Sequence, residues 1–441
     1  MPEGFVSIHV PAYNEPPTLL KNTLRALSEL DYKDYEVIII DNNTKEEKIW
    51  RPIQEYCQKL RKTFKFFHID RLPGFKAGAL NYIQSKVNPK TKFVAVIDAD
   101  YQVKPDFLKK ALKYFTNNKI ALVQFPQAYK NVNEDNLGIS MEYEYFFRTY
   151  MNMANHFHCA TSTGTLTIYR LNALKEVNLF SEESVTEDAD IGVRLLRAGY
   201  ETIYVPEIIG RGLMPFDIEA YKKQKARWSL GNAQILRKQF LQILLDNKLT
   251  ILQKVGLMAQ LTAWINFIFI PTLVIILGAF IKVIIPLDQP TVALSINIAI
   301  LTLYIFLTFQ LLSFVLGFRH IYSWKRVLRG FLVHLGMSWE YSTTFLKIFT
   351  KKDTTFERTN KFILPKIPDL IKNTAWELIL GLTSFVLAIT LVIDNELFHA
   401  SALLLVSTTY FLIFFVCLEI KQTKSFSSHL INKMEKSFYG S

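Results

Sequence analysis

Cysteine is scarce in this sequence: Cys57, Cys159 and Cys417 lie far apart and form no Cys-x-x-Cys pair. That spacing argues against a disulfide framework and a zinc site, and it places the soluble part in a reducing compartment. A charged segment followed by an apolar run is also missing from Met1 to Glu15, so no cleaved signal is expected. Acidic residues are outnumbered, 39 against 51 basic ones, giving a formal charge of +12. The excess comes without a basic arm, zinc-finger spacing or an aromatic RNA-binding signature, so nucleic acid is not an expected partner. After about Gly256, charge disappears from several windows of roughly twenty residues, the length that crosses a hydrocarbon core. Lys and Arg crowd beside these windows, as they do where a chain meets anionic lipid. An integral, multi-pass membrane protein is the expectation.

What is present before Gly256 reads as alternating strands and helices. Phe5 to Val10 is a short apolar run ended by Pro11-Ala12-Tyr13-Asn14-Glu15; leucines at helical spacing follow to Leu30, and Glu36 to Ile40 closes on Asp41-Asn42-Asn43. Strand, helix and strand of this length predict a parallel unit, whose ligands bind outside the carboxyl ends of the strands. Tyr13, Glu15 and Asp41 fall on that rim. Pro73-Gly74-Phe75-Lys76-Ala77-Gly78 sits between a strand and a helix, where backbone N–H groups and the Lys76 ammonium suit a diphosphate, although such stretches are also ordinary turns.

Phe93 to Ile97 ends on Asp98-Ala99-Asp100, two hard-oxygen carboxylates able to hold a divalent cation, or else a solvated turn. Asn136 to Ala154 predicts an aromatic helix, read either as core packing or as the wall of a sugar groove. Thr163 and Gly164 in the following small-residue stretch suit close approach of a ligand and are candidates for the acceptor side. Val185-Thr186-Glu187-Asp188 opens a helix: Thr186 fits a cap, the acids suit the helix dipole, and Asp188 equally suits a general base. Ile218 to Leu245 predicts a basic amphipathic helix with Lys222, Lys223 and Lys225 among its charged positions. Its Gln224, Arg227 and Trp228 share one face at i, i+3 and i+4, where an amide, a guanidinium and an indole can together bind sugar and phosphate.

Four spans are predicted in the remainder: Gly256 to Pro286, Thr291 to Gly317, Thr374 to Ile393 and Leu397 to Leu418. A basic connection from Arg319 to Lys372, including an amphipathic stretch from Lys325 to Phe349, separates the pairs. The positive-inside rule puts the N-terminal domain, this connection and the tail in the cytoplasm.

The order Asp41, Asp98-Ala99-Asp100, Thr186-Glu187-Asp188 and Gln224-x-x-Arg227-Trp228 resembles the family 2 membrane glycosyltransferases, the cellulose and hyaluronan synthases and their relatives, over nearly the whole chain. The resemblance implies an α/β, Rossmann-like GT-A domain over 1–215, an interfacial helix over 216–250, and spans in 256–317 and 374–418. A gating loop in 318–373 and a cytoplasmic tail over 419–441 complete that organisation. It further implies that Glu15 and Asp41 contact uridine, Lys76 a phosphate, and Asp98 and Asp100 the diphosphate with Mg²⁺ or Mn²⁺. Asp188 is then the base with Thr186 and Glu187 as neighbours, and Gln224, Arg227 and Trp228 serve diphosphate and acceptor. Phe356, Thr359 and Lys361 match a mobile loop that closes on the nucleotide sugar, with Arg358 in place of valine. Similarity of the segments around Asp41 and Lys76 to bacterial β-glucan synthases favours UDP-glucose, an inverting transfer to a growing β-glycan and a bacterial membrane. The chain begins at its first strand, without the preceding spans of cellulose synthases, so pairing of protomers or a helper subunit is expected if a polymer is exported. A glycolipid-forming enzyme with a lipid-linked acceptor is the alternative, and a non-catalytic glycan-binding subunit a third.

Overall fold

β-Branched runs set the sheet. Val6, Ile8 and Val10 of β1 (Phe5–Ala12) and Val37, Ile38, Ile39 and Ile40 of β2 (Tyr35–Asn42) are fully buried on both faces, as strands covered by helices on two sides must be. The computed structural model describes residues 4–60, 62–215, 218–264, 269–284, 290–318, 320–347 and 374–419. With β3 (Phe64–Ile69), β4 (Thr91–Val96), β6 (Ile120–Gln124), β7 (Thr167–Arg170) and β8 (Glu201–Tyr204), these strands form a seven-stranded sheet in the order β3-β2-β1-β4-β7-β6-β8. β7 runs antiparallel to β4 and β6, and the other neighbours are parallel. A two-stranded ribbon pairs β5 (Gln102–Val103) with β9 (Gly210–Arg211).

Register brings the strand ends together. Ala12 lies opposite Asp41, and Asp41 opposite His68, so the turns after β1, β2 and β3 share one edge. Crossover helices α1 (Pro17–Ser28), α2 (Glu47–Lys59) and α3 (Phe75–Ile83) return the chain to that edge's opposite end, and α4 (Phe107–Leu112) follows the ribbon strand β5. The predicted aromatic helix is not uniform: α5 (Leu137–Tyr145) passes through a π-helical stretch, Phe146–Met151, into α6 (Asn152–His156). The widened turn lets three successive rings face three partners, Tyr145 on Phe314, Phe146 on Trp264 and Phe147 on Tyr204. After α7 (Leu171–Glu176) comes α8 (Glu187–Arg197), which begins at the acidic triplet.

α9 (Ile218–Leu245) matches the predicted basic helix in its bounds but not in its exposure. Lys222 and Lys225 are buried, because each finds carboxylates inside: Lys222 Nζ lies 2.6 Å from Glu377 and 3.1 Å from Glu340, and Lys225 Nζ 2.6 Å from Glu142. The first predicted span also divides. α10 (Ile251–Thr262) is held against the sheet domain, where Gln260 accepts the Thr161 N–H at 2.9 Å and donates to the Cys159 carbonyl at 2.8 Å. α11 (Phe269–Ile284) is apolar but has 16 residues. Among the described residues, three helices are long and apolar enough to cross a membrane: Ala293–Phe318 within α12 (Pro290–Phe318), Ala375–Ile393 and Leu397–Leu418. On α12, Leu294, Ile298, Leu301, Ile305, Phe309, Leu312 and Leu316 are all more than half exposed at three- and four-residue intervals, an outward apolar stripe of the kind lipid covers. The amphipathic stretch before the second pair is two helices, α13 (Trp324–Gly336) and α14 (Ser338–Lys347). Phe356, Thr359 and Lys361 lie outside the described residues.

Candidate active site

A cavity of about 270 Å³ opens along the carboxyl edge of the sheet and is closed from the other side by α9. Tyr13 and Glu15 after β1, Lys76 at the start of α3, Asp98 and Asp100 after β4, Thr186, Glu187 and Asp188 at the start of α8, and Gln224, Arg227 and Trp228 of α9 all line it. Residues distant in sequence thus meet because every contributing turn leaves the sheet on the same side. Lys76 is the hub of its floor. Its Nζ donates to Asp98 Oδ1 at 2.6 Å and to the Gly164 carbonyl at 2.7 Å, with Glu187 at 3.9 Å.

Gly164 takes φ +79, and a Cβ there would stand 2.6 Å from Asp188 Oδ2 and 3.3 Å from Lys76 Nζ. Glycine there lets the ammonium and the carboxylate approach the backbone. Thr163 lines the cavity beside it. Thr186 occupies the cap position of α8 without a capping hydrogen bond; its side chain instead packs where a Cβ on Gly231 of α9 would be. That contact is how α9 seats against the acidic triplet.

Burial raises the Glu187 carboxyl to about 7, helped by Asp188 and opposed by Lys76 and Arg227. Asp188 is raised too, burial outweighing the nearby ammonium of Lys76. Burial by itself would lower Lys76, but Asp98, Glu187 and Asp188 around it leave its ammonium raised. Burial lowers Arg227 against the pull of the same three acids, and a guanidinium remains a cation there. Among the described residues, two cations, Lys76 and Arg227, thus line the cavity with five carboxyls, those of Glu15, Asp98, Asp100, Glu187 and Asp188, a cleft short of positive charge.

Asp41 is the one rim candidate that does not reach the cavity. Its carboxylate is 3% exposed, accepts the Thr44 hydroxyl at 2.7 Å and faces His68 Nδ1 at 2.7 Å, while Trp50 stacks on that histidine. Asn42 and Asn43 line the cavity in its place. Phe75, Tyr101, Gln127 and Tyr129 were not singled out from the sequence and line it as well. Tyr143 of the aromatic helix is buried, and its hydroxyl donates to the Gln224 amide oxygen. Asn43 and Phe75 carry positive φ, 66 and 49, a strain common where a turn is shaped for a ligand.

Residues 93–421 match the glycosyl transferase family group 2 model, and residues 7–177 match that of glycosyl transferase family 2. The chain belongs to glycosyl transferase family group 2. It is similar to probable glucomannan 4-beta-mannosyltransferase 9 of Oryza sativa subsp. japonica, 28% identical over 57% of this chain and 49% of that one. Glucomannan 4-beta-mannosyltransferase 9 of Arabidopsis thaliana is likewise 28% identical, over 57% of this chain and 48% of that one. The chain spans about half the length of the curated relatives it matches. In fold it is similar to the mannosyltransferase PcManGT from Pyrobaculum calidifontis, solved in complex with GDP-Man and Mn²⁺, at 16% identity and a TM-score of 0.54, covering 79% of this chain and 88% of that one. A GT-A, Rossmann-like sheet followed by apolar helices is thus the fold of this family 2 glycosyltransferase.

In this glycosyltransferase, Asp98 and Asp100 supply oxygen donors of the kind Mg²⁺ and Mn²⁺ take. Asp98 Oδ1 is tied to Lys76, and Asp100 Oδ2 accepts the Leu213 N–H at 2.8 Å, so both side chains are held in place at the cavity wall. No cluster of three or more His, Cys, Asp or Glu suited to a metal occurs among the described residues. The pair fits a cation that takes its remaining ligands from a diphosphate, not one caged by protein alone.

Proposed function

We propose that the protein is an inverting glycosyltransferase that moves a hexose from a nucleoside-diphosphate donor to the end of a growing β-glycan, processively and at a membrane. The observation that supports it is the meeting of Asp188, the Asp98/Asp100 pair, Lys76 and Arg227 in one cavity. The acceptor hydroxyl oxygen attacks the anomeric carbon as its proton passes to Asp188, a buried carboxylate whose raised affinity suits the task. The bond from that carbon to the diphosphate breaks on the opposite face, and the electron pair leaves with the diphosphate. Lys76 and Arg227 stand where that negative charge grows. A divalent cation held by Asp98 and Asp100 supplies further charge neutralisation when bound. Trp228, 5.8 Å centre to centre from the Tyr143 ring, offers the acceptor a face on which to stack.

Sequence resemblance favours UDP-glucose, whereas the relatives' names favour a mannosyl donor. The test is release of nucleoside diphosphate from purified full-length protein given UDP-glucose or GDP-mannose with Mg²⁺ or Mn²⁺, with products sized and treated with β-glucanase or β-mannanase. A long product cleaved by one hydrolase supports the proposal and names the sugar. Release with neither donor, or a product carrying a single sugar on lipid, overturns the polymerase reading.

A further inference from the structure

A second cavity, about 330 Å³, lies behind the active-site wall and shares Gln127 and Tyr129 with it, while Tyr143 of its lining bonds Gln224 of the first. Its chemistry is different. Three arginines from three places in the chain line it: Arg148 of the π-helical stretch, Arg211 of β9 and Arg326 of α13; among the described residues Glu144 is the one acid in the lining. Glu144 is already engaged, taking Arg148 Nε at 2.5 Å and the Tyr322 hydroxyl at 2.9 Å. Arg211 and Arg326 are left in excess. The Arg326 guanidinium stacks 3.9 Å above the Tyr322 ring, and its Nε is buried with no hydrogen-bond partner among the described residues. A buried donor in that position is costly until an acceptor arrives.

The segment that carries Tyr322 and Arg326 adds a second observation. Tyr322 and Arg326 follow α12 directly, and the residues that alternate with them, Ile321, Trp324 and Leu328, are 49%, 69% and 49% exposed. Trp324 and Leu328 stand at i and i+4 on one face of α13. An outward tryptophan and two aliphatic side chains beside the end of a candidate span suit the headgroup boundary of a bilayer. Guanidinium groups pair with phosphate through parallel N–H donors, and two cations in excess match the charge of a phosphate monoester.

We propose that this cavity binds the phosphate of a membrane lipid bearing a phosphate monoester, with the lipid's apolar part lying over Ile321, Trp324 and Leu328. Binding does not depend on the reaction assigned above. Its consequence for the active site runs through the shared wall: Tyr129 donates to Gln127 at 3.0 Å, Gln127 to the Thr163 carbonyl at 2.8 Å, and Tyr143 to Gln224. An occupant fixes the wall that holds the acceptor side.

The experiment titrates dioctanoylphosphatidic acid into full-length protein in neutral detergent and counts bound lipid by native mass spectrometry, with dioctanoylphosphatidylcholine and inorganic phosphate as comparison probes. Loss of one charge-assisted pair predicts that Arg326→Gln weakens phosphatidic acid binding about tenfold, while Lys325→Gln at the neighbouring exposed position leaves it unchanged. Arg211→Gln should weaken it similarly, so the site is tested twice, and thermal unfolding of each variant shows that the fold is kept. Equal binding to wild type and both arginine variants overturns the site. Phosphatidylcholine binding as tightly as phosphatidic acid overturns the monoester, and inorganic phosphate displacing the lipid at equal concentration overturns the membrane source.

Discussion

On one face of α9, Arg227 confronts Glu187, Asp188 and Asp98 across an open cavity, while on another Lys222 and Lys225 point into the protein and meet carboxylates at 2.6 Å. Lys225 is also enclosed by the rings of Tyr143, Trp264 and Trp228, 4.2 to 4.8 Å from its Nζ. The cavity's charges face a space where substrate fits; the interior charges face only each other. Cations two to five residues apart on one helix therefore do different jobs, and the difference lies in what the opposite wall leaves open.

The sharpest break in this comparison is Asp188→Asn. Removing a general base is expected to lower turnover about 10²- to 10⁴-fold, with donor binding, read by calorimetry, largely intact. Unchanged turnover would take Asp188 out of the mechanism. Next is Arg227→Ala, expected to lower kcat about 10²-fold by removing charge from the departing diphosphate, with little change in thermal stability. Lys225→Met should do the reverse. Leaving Glu142 buried without its partner costs about 3–5 kcal/mol of stability, seen as a lower unfolding temperature, and a double change that also makes Glu142 leucine should recover much of it. A Lys225→Met protein as stable as wild type would show that the interior pair is not structural.

The smallest effect is in pH. A base must be ionised, so turnover should fall toward acid pH as Asp188, its carboxyl raised by burial, takes up a proton, while Glu187 beside it does so near about 7. Stability of the substrate-free protein should move oppositely. A carboxyl raised from 4.5 to about 7 holds its proton more tightly in the folded state, so folding gains as pH falls from about 7 toward 4.5 and loses it again as pH rises. Parallel slopes of turnover and unfolding temperature over that interval would break the assignment of these carboxyls to the cleft.

The strands and their terminal acids were legible because fully buried strands leave unbroken apolar runs, and a polar residue ending such a run must face something. Ile40 before Asp41 and Ile97 before Asp98 are of this kind, yet only Asp98 opens to the cavity, since Thr44 and His68 satisfy Asp41 within the fold. The face shared by Gln224, Arg227 and Trp228 followed from helical spacing. The burial of Lys222 and Lys225 could not, because charge pattern marks a solvent face only when no distant acid is waiting. The division of the first predicted span has a similar cause. Gln260 sits in an apolar run, and its partners, Cys159 and Thr161, lie about a hundred residues earlier.

The Lys222–Glu377 bond joins residues 155 positions apart. At ribosomal rates of about 5–20 residues per second, Lys222 emerges roughly 8–30 s before its partner. Until first Glu340 and then Glu377 are made, Lys222 of the helix that closes the cavity lacks the carboxylates that face it in the fold. The helix that closes the cavity is thus tied to a helix made late in synthesis, Ala375–Ile393.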